Sequence, residues 1–210
     1  MGLSRRLFIG ASLSAATASV MAGANVAEAS ATKPQKWDKT VNVVIIGSGG
    51  AGLATAVSAA ENGVKDILVL EKLAFLGGNT AIATGAFNTA DPKQKEQGIE
   101  DSPELHAQQT LKGGDFRANP ELVNELSHNS YDTLTWLESK GVKFQPKILQ
   151  VYGALWPRSH ATAASKGSDY IRVLSEEAKK LGVTIQTQAK VVDIIRENQL
   201  SGRALGVEYL

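Results

Sequence analysis

The 210-residue sequence contains no cysteine. This absence excludes disulfide bonds, iron–sulfur clusters, cysteine-ligated zinc and covalent attachment of haem through a C-x-x-C-H motif. Histidine is also scarce, and no two histidines lie at the spacing of metal ligands, so no metal site is predicted. The three histidines are His106, His128 and His160.

The sequence also lacks an excess of charge of either sign. It has 22 basic and 21 acidic residues and a formal net charge of +1, so nothing predicts binding to a nucleic acid backbone. Hydrophobic residues make up 43% and charged residues 20%, which is typical of a globular chain and argues against general disorder. The length allows one domain or a little more.

The first 29 residues have the composition of an export signal. Arg5 and Arg6 precede a weakly apolar run, and Ala27 and Ala29 provide the small residues that a signal peptidase requires. The paired arginines predict export by the twin-arginine route, and therefore a periplasmic protein. A membrane anchor is the alternative, but glycine and serine interrupt the run, so we expect cleavage and no membrane span thereafter.

Strands and helices are predicted to alternate after a polar leader at residues 30–40, within one domain at 41–210. The β-branched run 41–46 predicts a buried strand, 51–62 a helix and 66–70 a second buried strand, which together form a βαβ unit. Helices are predicted to begin at Ser102 and Asn119, each followed by proline and glutamate, and the second to break near 128–130. The remaining predictions are a loop at 77–90, a helix at 167–180 and strands at 183–187, 190–195 and 204–210.

A G-x-G-x-x-G motif occupies residues 47–52, between the first predicted strand and helix. Gly47 permits a tight turn, Gly49 lets the backbone approach a pyrophosphate, and Gly52 allows close packing of helix on strand. Amide N–H groups at the helix start would face the anion. Glu71 follows Gly47 by 24 residues, where a carboxylate can accept hydrogen bonds from an adenosine ribose. This context predicts dinucleotide binding; a structural glycine-rich turn is the alternative.

Two further segments carry a resemblance to a known family. The acidic–basic pair at 71–72 is followed by Gly-Gly-Asn-Thr at 77–80 and Ala-Thr-Gly-Ala at 83–86. These residues resemble the FAD-binding domain of the fumarate reductase and succinate dehydrogenase flavoprotein family. Segments at 101–105 and 119–123 resemble the soluble periplasmic fumarate reductases called flavocytochromes c. The resemblance covers roughly residues 40–210.

The resemblance implies an α/β fold, a Rossmann-like FAD-binding domain of the glutathione-reductase type that is incomplete at the C-terminus. It places the glycine motif against the pyrophosphate, Glu71 on the adenosine ribose, Asn79 and Thr84 towards the diphosphate and flavin, and the backbone of Val191 on the adenine. The full set of implied FAD contacts is Gly47, Gly49, Gly50, Ala51, Gly52, Glu71, Lys72, Gly78, Asn79, Thr80, Thr84, Gly85 and Val191.

The implied activity is reduction of an α,β-unsaturated carboxylate by hydride transfer from reduced FAD, with fumarate as the expected substrate. A separate periplasmic c-type cytochrome is the expected electron donor, because this chain has no cysteine for haem. Non-covalent FAD is expected, because no histidine lies near Asn79, where many relatives attach the flavin. The alternatives are a reductase of another enoate such as urocanate or methacrylate, a ketosteroid dehydrogenase, or a non-catalytic FAD-binding electron-transfer subunit.

The catalytic residues of this family come later than Leu210, so we expect the chain to be the N-terminal part of a polypeptide more than twice as long. Arg158 could pair with a phosphate or a substrate carboxylate, or stack on Trp156 at the surface. His160 could lie near the flavin or be a solvated or structural residue. The other two histidines are predicted to be exposed.

Overall fold

A computed structural model describes residues 36–198 and 201–210; the predicted signal peptide and the start of the leader lie outside them. No helix in these ranges combines the length and the apolar character needed to cross a membrane. The strands are β1 (Val43–Ile46), β2 (Ile67–Leu70), β3 (Ala86–Asn88), β4 (Ser159–Ala161), β5 (Thr184–Gln186), β6 (Val191–Asn198) and β7 (Ser201–Tyr209). The helices are α1 (Gly50–Glu61), α2 (Gly78–Ile82), α3 (Pro103–Gly113), α4 (Pro120–Lys140) and α5 (Ser168–Lys180), with a 3₁₀-helix at Pro92–Gln97.

The central sheet is parallel and has the strand order β1-β2-β5. Val43 of β1 lies opposite Ile67 of β2, and Leu68 of β2 lies opposite Thr184 of β5. All four residues of β2 are buried, as expected for the middle strand of a sheet that is covered on both faces. Helix α1 connects β1 to β2, so the predicted βαβ unit is confirmed.

The main core lies on the face of the sheet that α1 and α5 cover. Leu53 and Val57 of α1 pack with Leu174 of α5, Val69 of β2 and Leu137 of α4. Each of these side chains is at most 5% exposed, and burying one contributes about 1.5–3 kcal/mol. This packing fixes the N-terminus of α1, and with it the glycine motif, against the carboxyl end of β1.

The opposite face of the sheet meets the antiparallel β6–β7 hairpin. Leu68 and Leu70 of β2 form a second apolar cluster with Ala189, and Val191 and Val207 pack against it. The start of β6 therefore lies beside β2, the strand that leads into Glu71.

The predicted break in the second long helix is wrong. Helix α4 continues through 128–130 without interruption. The Ser127 hydroxyl donates to the Val123 carbonyl, and the Ser130 hydroxyl lies 3.0 Å from the Ser127 carbonyl. Polar side chains can thus satisfy their hydrogen bonds inside a helix without breaking it.

The predicted loop at 77–90 is also wrong in part, because it contains α2 and β3. β3 pairs with β4, a strand that the sequence analysis did not predict, and Phe87 lies opposite His160 in this ribbon. The last strand begins at Ser201 rather than at 204, because Ser201 pairs with Asn198 of β6.

Candidate functional site

The first glycine motif forms the turn between β1 and α1. Gly47 has a φ of +95°, a left-handed conformation that favours glycine, and its N–H donates to the Leu70 carbonyl over 2.8 Å. A Cβ at Gly52 would overlap the carbonyl oxygen of Gly47, so α1 packs closely on the turn, as predicted. A Cβ at Gly49 would lie 3.8 Å from its nearest neighbour, the carbonyl oxygen of Gly77, so the protein's own packing does not require a glycine there. The missing side chain instead leaves room for a ligand at the helix N-terminus.

The Glu71 carboxylate is fixed beside this turn by three hydrogen bonds. Its Oε2 accepts from the Ser48 N–H (2.9 Å) and the Ser48 hydroxyl (2.6 Å), and its Oε1 accepts from the Leu73 N–H (2.9 Å). Glu71 is 5% exposed and Ser48 is fully buried. The predicted ribose-binding carboxylate therefore lies directly against the predicted pyrophosphate turn.

Glu71 is ionised at neutral pH in this setting. Burial alone would raise the pKa of its carboxyl group, but the hydrogen bonds from Ser48 and Leu73 and the charge of Lys72 outweigh burial and lower the pKa below its ordinary value. An ionised carboxylate only accepts hydrogen bonds, which suits it to ribose hydroxyl groups.

The second glycine segment, residues 77–80, lies against the first motif. Gly77 forms a parallel bridge with Gly49, and its N–H donates to the Ser48 hydroxyl oxygen over 3.2 Å. The Gly50 N–H donates to Thr80 Oγ1 over 3.1 Å. Gly77 has a φ of +115°, and a Cβ there would lie 2.7 Å from the Ala81 side chain. The structure thus joins two predicted contact segments that are about thirty residues apart.

The amides at the N-terminus of α1 differ in their availability. The Thr80 hydroxyl oxygen accepts a hydrogen bond from the Gly50 N–H, whereas the N–H groups of Ala51 and Gly52 have no acceptor among the described residues. The helix dipole adds a partial positive charge at this end, and no acidic side chain occupies the first turn. Free amides, positive potential and space at Gly49 fit the diphosphate of a dinucleotide.

The residues predicted to face the flavin side line a cavity of about 340 Å³ at the start of α5. The Tyr170 hydroxyl donates to the Gly85 carbonyl over 2.9 Å, and the Gly167 N–H donates to the Ala83 carbonyl over 2.8 Å. Burial, helped by the charge of Asp169, raises the pKa of Tyr170 above its ordinary value, so the hydroxyl remains a donor. The predicted contacts Asn79, Thr80, Thr84 and Gly85 line this cavity with Ala83, Ala86, Gly167 and Tyr170.

Val191 lies at the start of β6 and packs against the apolar cluster of Leu68 and Leu70. The backbones of Lys190 and Leu210 exchange hydrogen bonds of 2.8 and 2.9 Å, so the backbone polar groups of Val191 point to the other side of the strand. The preceding turn contacts Glu71, whose carbonyl accepts from the Ala189 N–H over 2.9 Å. The side chain of Val191 is half-buried, and its contact with adenine stays a prediction.

Arg158 is not available to a phosphate or a substrate in this structure. Its Nε and Nη2 donate to the two carboxylate oxygens of Asp101 over 2.9 and 2.7 Å, and both side chains are buried. The alternative of an exposed arginine stacked on Trp156 is also wrong, because Arg158 is 5% exposed. Bidentate pairing with a buried carboxylate explains why the charge is tolerated there.

The histidines take three different environments. His160 is buried, with Nε2 3.2 Å from Asp91 and Nδ1 3.1 Å from the Arg158 carbonyl, so the alternative of a solvated histidine is wrong. The prediction that His106 is exposed is wrong: it is 5% exposed, and burial and the nearby Arg158 lower its pKa. His128 is exposed as predicted and lies 3.4 Å from Glu104.

Sequence reasoning missed two residues that organise the site. Ser48 occupies an unspecified position of the glycine motif, and Tyr170 belongs to a helix about 85 residues beyond the loop that it contacts. No local pattern identifies either residue. Within the described ranges, no group of three or more histidine or carboxylate side chains is arranged to hold a metal ion.

Comparison with known proteins identifies the family of this chain. The profile of the FAD binding domain family matches residues 42–210. The chain is 34% identical over 207 residues to the acrylate reductase flavoprotein subunit of Shewanella woodyi, covering 98% of this chain and 40% of that protein. It is 35% identical to the fumarate reductase (cytochrome) of Shewanella frigidimarina, covering 76% of this chain and 28% of that protein.

A solved structure shares the fold. The 3-ketosteroid-delta4-(5alpha)-dehydrogenase of Rhodococcus jostii superposes with a TM-score of 0.74 at 28% identity, over 84% of this chain and 43% of that one. The chain thus spans less than half the length of each of these three proteins. It belongs to the FAD-binding domain family, together with the fumarate and acrylate reductase flavoproteins that it resembles.

Proposed function

We propose that this chain binds FAD non-covalently and forms the FAD-binding part of a reductase for small α,β-unsaturated carboxylates. The observation that carries the proposal is the joining of the two glycine segments around the ionised Glu71, within a match to the FAD binding domain that covers residues 42–210. The three comparison proteins all have names that denote redox enzymes.

In this proposal, different residues of the chain contact different parts of FAD. The Ala51 and Gly52 amides and the N-terminus of α1 hold the diphosphate, and Glu71 accepts hydrogen bonds from the adenosine ribose. The backbone of Val191 meets the adenine. The contacts at the diphosphate and flavin side are Gly47, Gly49, Gly50, Lys72, Gly78, Asn79, Thr80, Thr84 and Gly85.

When bound, FAD supplies the hydride chemistry that reduces a carbon–carbon double bond. The contribution of this chain is to hold the cofactor in a fixed orientation through short, buried contacts. Tyr170 and Gly167 serve that purpose by fixing the carbonyls of Gly85 and Ala83. Among the described residues, Arg158 is the only buried arginine, and Asp101 neutralises it. We therefore assign no substrate-binding or proton-donating residue within this chain.

Fumarate and acrylate are the first substrates to test. The fumarate reductase and the acrylate reductase subunit are 35% and 34% identical to this chain, so identity does not separate them. Dehydrogenation of a 3-ketosteroid is the second candidate, and the superposition on a ketosteroid dehydrogenase favours it. The paired arginines at 5–6 support an exported reductase instead, and a separate c-type cytochrome is the proposed electron donor because residues 1–210 contain no cysteine to attach haem.

The test is an assay of the full polypeptide from its native periplasm. With reduced viologen as the donor, we expect oxidation of the dye with fumarate, acrylate, urocanate or methacrylate. With an oxidised dye as the electron acceptor, we expect no reduction of the dye with a saturated 3-ketosteroid. Acid precipitation should release the flavin into the supernatant, and flavin retained by the pellet would contradict non-covalent binding. A protein that binds FAD but reduces none of these enoates would instead be an electron-transfer subunit.

A further inference from the structure

We infer that Ser48 is a positioning residue of the cofactor site, which holds the Glu71 carboxylate and the second glycine segment in the arrangement that binds the adenosine diphosphate half of FAD. This inference rests on the proposed function, because it concerns the same site. The glycine motif itself places no requirement on this position.

The hydroxyl of Ser48 connects three parts of the chain. It follows β1, donates its hydrogen to Glu71 at the end of β2, and accepts the N–H of Gly77 at the start of the second glycine segment. A hydroxyl group has one hydrogen, and only the carboxylate can receive it here, so the direction of both bonds is determined. Ser48 is 0% exposed, so its hydroxyl has no contact with bulk solvent.

Fixing the carboxylate leaves a defined acceptor for the ligand. A carboxylate has about four lone-pair positions, and Ser48 and Leu73 use three of them in this structure. The fourth lone-pair position of the Glu71 carboxylate has a fixed direction, because both of its oxygens already accept hydrogen bonds. A ribose hydroxyl can use that position only while the carboxylate keeps its rotation, which depends on the 2.6 Å bond from Ser48.

The same bond keeps the two glycine segments at a constant separation. Without the hydroxyl, the Gly77 N–H would lose its acceptor, and Gly77 would be held to the first motif only by its bridge to Gly49 and by Thr80. An unpaired buried donor is costly, so the second segment would move away from the diphosphate position.

Removal of the hydroxyl should also change the acid sensitivity of ligand binding. The charged neighbour that lowers the pKa of Glu71 is Lys72, and the contacts from the end of β5 and from the turn before β6 are the uncharged backbones of Gln186 and Ala189. Without Ser48 Oγ, burial is opposed by fewer hydrogen bonds, and the pKa of Glu71 rises. Because the ionised form accepts the ribose hydroxyl, affinity in the variant should fall at a higher pH than in the wild type.

The experiment measures ADP binding to the full chain by calorimetry between pH 4 and pH 8. Ser48→Ala should weaken ADP binding by about tenfold at pH 7, the effect of one hydrogen bond to a charged group. The matched control is Ser127→Ala, which removes another buried serine hydroxyl far along the chain in α4 and should leave ADP affinity unchanged. The pKa of Glu71, measured by carboxyl carbon-13 resonance in the unliganded protein, should rise in Ser48→Ala and stay constant in the control.

A double variant separates positioning from general damage. Because Ser48 acts partly through Glu71, Ser48→Ala should weaken ADP binding less in the Glu71→Gln background than in the wild type, and the loss that remains there reports the contact with Gly77. Full additivity of the two losses, or an unchanged affinity and pKa in Ser48→Ala, would overturn the inference while leaving the proposed function intact. Failure of the wild-type chain to bind ADP would overturn the proposed function, and the inference with it.

Discussion

Substitution of Gly52 by alanine tests the packing of the nucleotide-binding turn. A Cβ at this position would overlap the carbonyl oxygen of Gly47 and lie 3.1 Å from its carbonyl carbon. Both atoms are backbone, so no flexible side chain can move aside. The helix must therefore shift away from β1, or the turn must change shape.

Two opposing effects set the magnitude of this change. Alanine is favoured over glycine within a helix by about 0.8–1.0 kcal/mol. Forcing an additional methyl group into a closely packed site costs about 1–3 kcal/mol, and rigid backbone neighbours place Gly52 at the upper end of that range. We therefore expect Gly52→Ala to lower the free energy of unfolding by about 1–2 kcal/mol.

Urea denaturation followed by circular dichroism measures this difference, and a FAD titration measures the accompanying loss of affinity, which we expect to be at least about tenfold because the α1 amides move. Gly113→Ala is the matched control: a Cβ there would meet no atom within 4 Å, so stability should be unchanged or rise slightly. The reasoning is refuted if Gly52→Ala is as stable as Gly113→Ala and binds FAD like the wild type.

Three other predictions follow from the buried polar contacts. Arg158→Met leaves the Asp101 carboxylate buried without its partner and should cost about 3–5 kcal/mol in urea denaturation; a loss below about 1 kcal/mol would show that the pair is not buried in solution. Tyr170→Phe removes the hydrogen bond to the Gly85 carbonyl and should lower the free energy of unfolding by about 1 kcal/mol and weaken FAD binding. Unchanged FAD affinity would show that this hydrogen bond does not contribute to the flavin site. The pKa of the Glu71 carboxyl group is lower in the folded protein than in the unfolded chain. Its stabilising contribution is therefore present above the unfolded pKa and is lost as the pH falls through the folded pKa. Glu71→Gln should make the free energy of unfolding depend less on pH in the acid range, and an unchanged dependence would contradict this pKa direction.

The βαβ unit could be predicted because its signals are local. Continuous β-branched runs indicate buried strands, and Gly47, Gly49 and Gly52 indicate a turn that joins strand to helix. The position of Glu71 follows from the same pattern. It comes directly after the second predicted strand, and the carboxyl end of that strand lies beside the turn in a βαβ unit. The structure added the role of Ser48, whose hydroxyl connects the turn to Glu71 and Gly77.

The remainder of the site depends on contacts between distant segments. The bond from Tyr170 to Gly85 and the pair of Arg158 with Asp101 join residues about 57–85 positions apart, and neither leaves a periodic pattern in the sequence. The three-residue strands β3 and β4 are too short to show alternation. His106 was assigned to the surface because its sequence neighbours are polar, yet α3 turns that side inward.

Titration of the full chain with FAD tests the central claim most directly. The account predicts a 1:1 complex, detected by quenching of flavin fluorescence, from which ADP displaces the cofactor and from which acid releases it unmodified. Weakened binding in Glu71→Gln would connect the complex to the described site. An absence of saturable binding, or binding that Glu71→Gln and ADP leave unchanged, would contradict the assignment of this site to FAD.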